Sequence, residues 1–267
     1  VSATLDAKAF DKLVNDGPKA DDDAIAASTW ATAVKDAGVF KIGGVQTSTL
    51  FSLLNEKDGQ TRGFDAGIAQ LLSNYILGEN KVEITQVTSD TRESVLQNGQ
   101  VDAVFATYTI TDERKKLVSF AGPYYYTQQA ILVLADNDDI KSFEDLAGKT
   151  TANSLASTYM ELAESYGATV QGIDTLEETI QLLTAGRIDA TLNANVSFYD
   201  YLNVHPDADF KLVAQTEDAS HVAIPIVKSD DSSFLDALNS AIDELRADGT
   251  LKELSEKYFG QDISSEN

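Results

Sequence analysis

From Phe40 onward the chain alternates short apolar runs with segments of helical periodicity, and that alternation narrows the possible folds more than any other feature. "VFKIGGV" reads as a strand, and "GFDAGIAQLLSNYIL" as a helix with Ile68, Leu71, Leu72, Tyr75 and Ile76 on one face. Next come the strand "KVEITQV", a short helix "TRESVLQ" stopped by Gly99, the strand "VDAVFAT", and a further strand in "QQAILVLA". A second series repeats the first in kind: helix "SFEDLAG", strand "KTTAN", helix "STYMELAESYG", strand "ATVQGI", helix "TLEETIQLLTAG", strand "IDATLN", helix "VSFYDYLNV" and strand "DFKLVAQ". "HVAIPIVK" then reads as a strand, and residues 232–260 as two helices broken at Gly249. "LQNGQVDA" starting at residue 96 echoes "LTAGRIDA" starting at residue 183. Each ends a helix at glycine and opens a strand with Asp102 or Asp189. Shared turn chemistry and an internal repeat both account for the echo.

The pattern implies an α/β protein of two similar lobes with a helical tail, and 267 residues suffice for two cores. Forty-three acidic side chains against twenty basic ones leave a net charge of −23, which argues against a phosphate backbone as partner. Without cysteine the chain has no disulfide, thiolate metal site or cysteine nucleophile. No window approaches the roughly 18 apolar residues of a membrane span. The chain opens at Val1 rather than Met, compatible with a leader removed upstream. Residues 1–39 read as an acidic, partly flexible extension that touches the body through Trp30.

One stretch, "TYTITDERKKLVSFAGPYYY" (107–126), carries a local conflict. Thr111 suits a helix N-cap, and Asp112 and Glu113 suit the first turn, but Arg114 does not, because the dipole disfavours a cation there by about 0.3–1 kcal/mol. Arg92 repeats the arrangement in "TSDTRESVLQNG", between Asp90 and Glu93, which resemble a capping box. Two explanations stand: a guanidinium waiting for an anion, or surface pairing with Asp112, Glu113, Asp90 or Glu93.

Residues 92–126, together with "GFDAGIAQLL" and "LRADGTLKELSEKYFG", resemble the amino-acid-binding family of extracellular solute-binding proteins that serve ABC importers, over about residues 40–260. The resemblance implies a type II periplasmic-binding-protein-like fold, two α/β lobes joined by a two-strand hinge. Lobe one would hold residues 40–127 with 222–267, lobe two 128–221, and residues 1–39 a tether. It implies that Arg114 grips a ligand α-carboxylate, helped by Thr107 and Thr109. Relatives that bind acidic amino acids carry a serine and an arginine at Ser89 and Arg92, which points to glutamate or aspartate.

Lobe two departs from the family pattern. "NSLASTYM" replaces a glycine-threonine motif, so Ser157 and Thr158 match loosely as donors at a helix start. The acidic residue that usually receives the ligand ammonium falls at Ala194, and burying an ammonium without an anion is costly. Asn193 and Asn195 as neutral acceptors, another carboxylate, or a ligand other than a standard amino acid would each answer this. Gln46, ending the first strand, is a further ligand candidate, against simple loop hydrogen bonding.

Other signals are set aside. "AGKTT" has Phe143 where a phosphate loop needs glycine, and "DNDDI" and "ADDDA" lack the glycine and terminal glutamate of a calcium loop. His205 and His221 stand alone in sequence, and the "NVS" triplet at 195 is of a kind that arises often by chance. Tyr124, Tyr125 and Tyr126 suit a hinge, a cleft wall or plain packing. Phe198, Tyr199 and Tyr201 suit the core of lobe two. The expectation is a monomer without cofactor or metal that closes a cleft over an amino acid, polar or like cystine, and is recognised by an importer's membrane subunits. It would lie outside the cell, free in a periplasm or lipid-anchored. The alternatives are a dehydratase of cyclic carboxylic acids on the same fold, or the sensing ectodomain of a receptor.

Overall fold

The computed structural model describes residues 6–88, 90–155 and 157–266. They form two compact units, one reaching to Tyr126 and resuming at Ser220, the other spanning Thr127–Ala219.

The described residues of the first unit open with three helices. Asp6 caps α1 (Ala7–Asn15) by accepting from the Ala9 amide at 2.7 Å. Phe10 and Val14, one turn apart and buried, seat α1 on α4 (Phe64–Leu77). Gly67 permits that approach, since a Cβ there would meet the Phe10 ring at 3.1 Å and Leu254 at 3.3 Å. Ser28 separates α2 (Asp22–Ala26) from α3 (Thr29–Ala37), because its hydroxyl caps α3. Trp30 is buried, edge-on to Phe40 at 6.1 Å, and its indole donates to the Asp102 carbonyl.

Strand β1 (Phe40–Gly44) is the centre of a parallel sheet. An antiparallel meander of β2 (Thr47–Ser48), β3 (Ser52–Asn55) and β4 (Gln60–Arg62) leads into α4. Gly63 makes that entry possible, with φ +147° and no room for a Cβ, which would lie 2.4 Å from the Phe51 backbone. After α4 come β5 (Val82–Gln86), α5 (Arg92–Gln97), β6 (Ala103–Val104), the one-turn α6 (Asp112–Lys115) and β7 (Val118–Thr127). The sheet runs β5-β1-β6, with Phe40 beside Val82 and Ile42 beside Ala103. Tyr124 and Tyr125 in β7 are fully buried against Phe64, so they pack as core.

The second unit contains β8 (Gln129–Leu134), a 3₁₀ turn at Phe143–Leu146, β9 (Thr150–Asn153), α7 (Thr158–Ser165), β10 (Thr169–Gly172), α8 (Leu176–Thr184), β11 (Thr191–Ala194), α9 (Asn195–Val204) and β12 (Phe210–Gln215). β11 and β12 flank β8 antiparallel, β10 lies parallel to β9, and a parallel bridge from Thr151 to Ala190 joins β9 to the β11 side. One face packs Ile131, Val133 and Leu192 against Ala163 of α7. The other packs Ala130, Leu132 and Ala152 against Ile180 and Leu183 of α8 and Phe198 of α9. The chain then returns to the first unit as β13 (Ser220–Val227), which pairs with β7, followed by a 3₁₀ turn (Ser232–Leu235), α10 (Asp236–Ala247) and α11 (Thr250–Phe259).

The sequence echo is a structural one. The Asp102 carboxylate accepts from the Lys41 amide at 2.9 Å while its own amide donates to the Lys41 carbonyl; Asp189 does the same with Thr150. Gly99 and Gly186 both turn the chain with positive φ just before. Each unit thus clips a helix-to-strand corner onto the start of a neighbouring strand.

Candidate ligand-binding site

Arg92 and Arg114, far apart in sequence, meet over one ring in the first unit. Tyr108 is 1% exposed and stacks on Phe120. Its segment is held by β13: the Ala223 amide donates to the Tyr108 carbonyl, the Ile110 amide donates to the His221 carbonyl, and Thr109 bridges Val222. The Arg114 guanidinium carbon lies 4.3 Å from the Tyr108 centroid and that of Arg92 lies 4.6 Å away, contacts worth about 0.5–2 kcal/mol each. Arg114 Nη1 donates to the Thr109 carbonyl at 2.8 Å, and Arg92 Nη1 to the Ala106 carbonyl at 3.2 Å. The Arg92 Nε is buried without an acceptor among the described residues.

Three of the four acidic neighbours expected to neutralise these arginines face other groups. Asp112 faces Lys115 at 3.9 Å, Glu113 faces Lys116 at 3.5 Å, and Glu93 accepts from the Tyr108 hydroxyl. The capping box read from Asp90 and Glu93 does not form: Thr91 occupies the N-cap without a side-chain bond, because Tyr108 takes Glu93. No described carboxylate lies within 4.0 Å of either guanidinium. Burial, and after it the charge of Arg114, hold the Arg92 pKa below its ordinary value. The dipole conflict at Arg114 largely dissolves, since Thr111 caps a helix of one turn in which Arg114 is as close to the end as to the start. What remains is a pair of half-buried cations that no carboxylate among the described residues touches, a complement for a carboxylate approached by parallel N–H donors.

Thr107, between this ring and the end of β6, has φ +53°, a conformation that costs a β-branched residue about 1–3 kcal/mol. It is exposed, and the buried Tyr125 hydroxyl lies toward it without a hydrogen bond of ordinary geometry. Ser89 lies outside the described residues. The Gln46 side chain donates to Thr61 at 2.8 Å and its carbonyl accepts from the Leu54 amide, so it closes the β2–β4 meander.

In the second unit Ser157 caps α7, accepting from the Met160 amide at 3.1 Å, and Thr158 opens that helix. Asn195 is buried. It accepts from the Gln128 and Val196 amides and donates to Gln215, which commits its oxygen and one N–H to joining β8, α9 and β12. Asn193 pairs across the ladder with Ala130, on the face covered by α8 and α9, and accepts from the Ala194 amide at 2.8 Å. Ala194 points to the α7 face, where the Tyr159 hydroxyl lies toward its backbone. The fold therefore gathers Thr107, Thr109, Arg92 and Arg114 in one unit, and sets Ser157 and Thr158 at the start of α7 in the other. Sequence reading missed Tyr108, whose one signal is a bulky ring between two threonines in a polar segment.

Residues 40–261 match the bacterial extracellular solute-binding proteins, family 3. The chain is 32% identical over 241 residues to the probable amino-acid-binding protein YxeM of Bacillus subtilis, covering 88% of this chain and 89% of that one. It is 30% identical over 210 residues to a probable amino-acid ABC transporter-binding protein of Haemophilus influenzae, covering 79% and 80%. The unliganded open structure of the L-cystine solute receptor of Neisseria gonorrhoeae matches with a TM-score of 0.73 at 30% identity, over 89% of this chain and all of that one. The chain thus belongs to family 3 of the bacterial extracellular solute-binding proteins.

Proposed function

We propose that this protein captures a free amino acid outside the cell and delivers it to an ABC importer, binding without making or breaking a bond. Glutamate or aspartate is the first choice of ligand, and cystine the next. The observation that carries this reading is the pair Arg92 and Arg114 around Tyr108, with no carboxylate partner among the described residues. In the proposal Arg114, fixed by the Thr109 carbonyl, grips the α-carboxylate, Thr107 and Thr109 add donors, and Arg92 takes the second carboxylate of an acidic side chain. Ser157 and Thr158 offer donors from the start of α7. Closure of the second unit on the ligand would supply the shape that importer subunits recognise, and a lipid anchor would hold the protein at the membrane.

The test is a thermal-shift panel on protein unfolded and refolded to strip carried-over ligand, run with the twenty common amino acids, cystine and carboxylates that lack an ammonium. A ligand at about 1,000 times its Kd adds about 4 kcal/mol, several degrees for a chain of this size. A shift with glutamate or aspartate supports the acidic reading, and one with cystine alone supports the second choice. A panel in which no amino acid raises the melting temperature refutes the proposal.

A further inference from the structure

The second unit contains two buried amide oxygens without partners among the described residues, and the strand register sets both on the face of Ala194, Gln129 directly opposite it and Asn153 level with Leu192 on the other flank. In the β8–β11 ladder Gln129 stands directly opposite Ala194, as Ile131 stands opposite Leu192. Directly opposed residues of an antiparallel pair project to the same face. That face is the one α7 covers, with Ile131, Leu192 and Ala163 in a single core. On the other flank β9 lies parallel to the β11 side through Thr151 and Ala190. Ala152 faces the opposite core with Ile180 and Leu183, so Thr151 and Asn153 project to the α7 face. Two residues past Thr151, Asn153 stands level with Leu192, so Asn153, Ala194 and Gln129 share one face, with Asn153 one step along the strand from the Ala194–Gln129 pair.

The Oε1 of Gln129 and the Oδ1 of Asn153 are both buried with no hydrogen-bond partner among the described residues. Asn153 is 4% exposed, and its amide is oriented by donation from Nδ2 to the Leu192 carbonyl, which leaves the oxygen as the open end. One step deeper on the same face the Thr151 hydroxyl is also unpaired. A buried acceptor left unpaired costs about 1–3 kcal/mol, so two on one face mark a place where donors belong. Ala194 contributes only a methyl group to that face. An ammonium group has three N–H donors and no acceptor, so it can satisfy both amide oxygens.

We propose that Gln129 and Asn153 receive the ligand's ammonium group as neutral acceptors, so that this protein binds an amino acid without a carboxylate at position 194. The inference rests on the amino-acid reading above. It also assigns the neighbouring amides separate tasks: Asn193 points to the other face, and Asn195 ties strands together.

The experiment is isothermal titration of the full chain with three matched pairs that differ only in amino groups: L-glutamate and glutarate, L-aspartate and succinate, L-cystine and 3,3′-dithiodipropionate. Gln129→Leu weakens the amino-acid member of the bound pair about tenfold or more and leaves the deamino member unchanged. Gln129→Glu restores or exceeds wild-type affinity for the amino acid. Asn153→Ala repeats the selective loss; because Asn153 is core, Gln129 at the strand end keeps the test independent of folding. Equal losses for both members of a pair mean a packing or water-holding role and overturn the inference while the amino-acid reading stands, as does no loss in Gln129→Leu. A wild type that binds deamino members only overturns the amino-acid reading and this inference with it.

Discussion

Replacing Arg114 by alanine separates binding from stability. In the free protein the change removes one hydrogen bond, Nη1 to the Thr109 carbonyl at 2.8 Å, and one ring contact at 4.3 Å. Together these are worth about 1–3.5 kcal/mol of folding free energy. Part of that is returned, because the positive charge that depresses the Arg92 pKa is gone. The fold, with a stability of about 5–15 kcal/mol for typical domains, survives the loss. Binding loses two charge-assisted hydrogen bonds to the carboxylate at about 1.5–3 kcal/mol each, which corresponds to a hundredfold to about ten-thousandfold weaker Kd. Arg114→Lys keeps the charge but not the fork and falls between. The assay is titration calorimetry of stripped protein beside urea unfolding. Affinity within about threefold of wild type would refute the reasoning, and so would a stability loss large enough to explain the weaker binding.

Arg92→Ala should weaken glutamate and aspartate more than glutamine, and equal losses in calorimetry would count against a side-chain role. Asp65 is fully buried at the start of α4, and burial pushes its pKa up to about 7 although the Tyr124 hydroxyl donates to it. Its folded form thus holds a proton that the unfolded chain releases near pH 4, so its contribution to stability falls as pH rises from about 4 to 7 and is flat above. Asp65→Asn should flatten that part of the stability–pH curve measured by urea unfolding, by up to about 4 kcal/mol; an unchanged slope would show that Asp65 is charged in the fold. Gly63→Ala should lower the melting temperature by several degrees, since φ +147° and the Phe51 backbone at 2.4 Å leave no place for a methyl group, and an unchanged melt would contradict the tight entry to α4.

Helices α8 and α10 were legible because burial repeats along their apolar faces, and α4 because its long apolar run, buried on every side from Phe64 to Ile76, leaves no other element to fit. The β2–β4 meander was not, because strands of two to four residues carrying Thr, Asn, Gln and Arg show no period. Nor was β7, where Gly122 and Pro123 interrupt "VSFAGPYYYT" and read as a break. The two arginines were legible as local misfits, but their common ring was not, since Tyr108 acquires its role through β13, more than a hundred residues away in sequence. Gln129 was hidden for a related reason. It opens an apolar run as an ordinary polar strand end, and only the register opposite Ala194 gives it a direction. The separation of Asn193 from Ala194 onto opposite faces likewise follows from pairing, which composition does not record.

The central claim is that the ligand carboxylate meets Arg114. The five arginines of the chain allow it to be watched directly by recording side-chain ¹H–¹⁵N resonances during titration with the amino acid that binds, each assigned by an Arg→Lys variant. Arg62, paired with Asp11 and Asp58, and Arg246, bonded to the Pro123 and Ser264 carbonyls, serve as internal controls. The account predicts that the Arg114 resonances move and slow in solvent exchange, with Arg92 following for acidic ligands, while the controls stay in place. Saturated binding with Arg114 unmoved would contradict it.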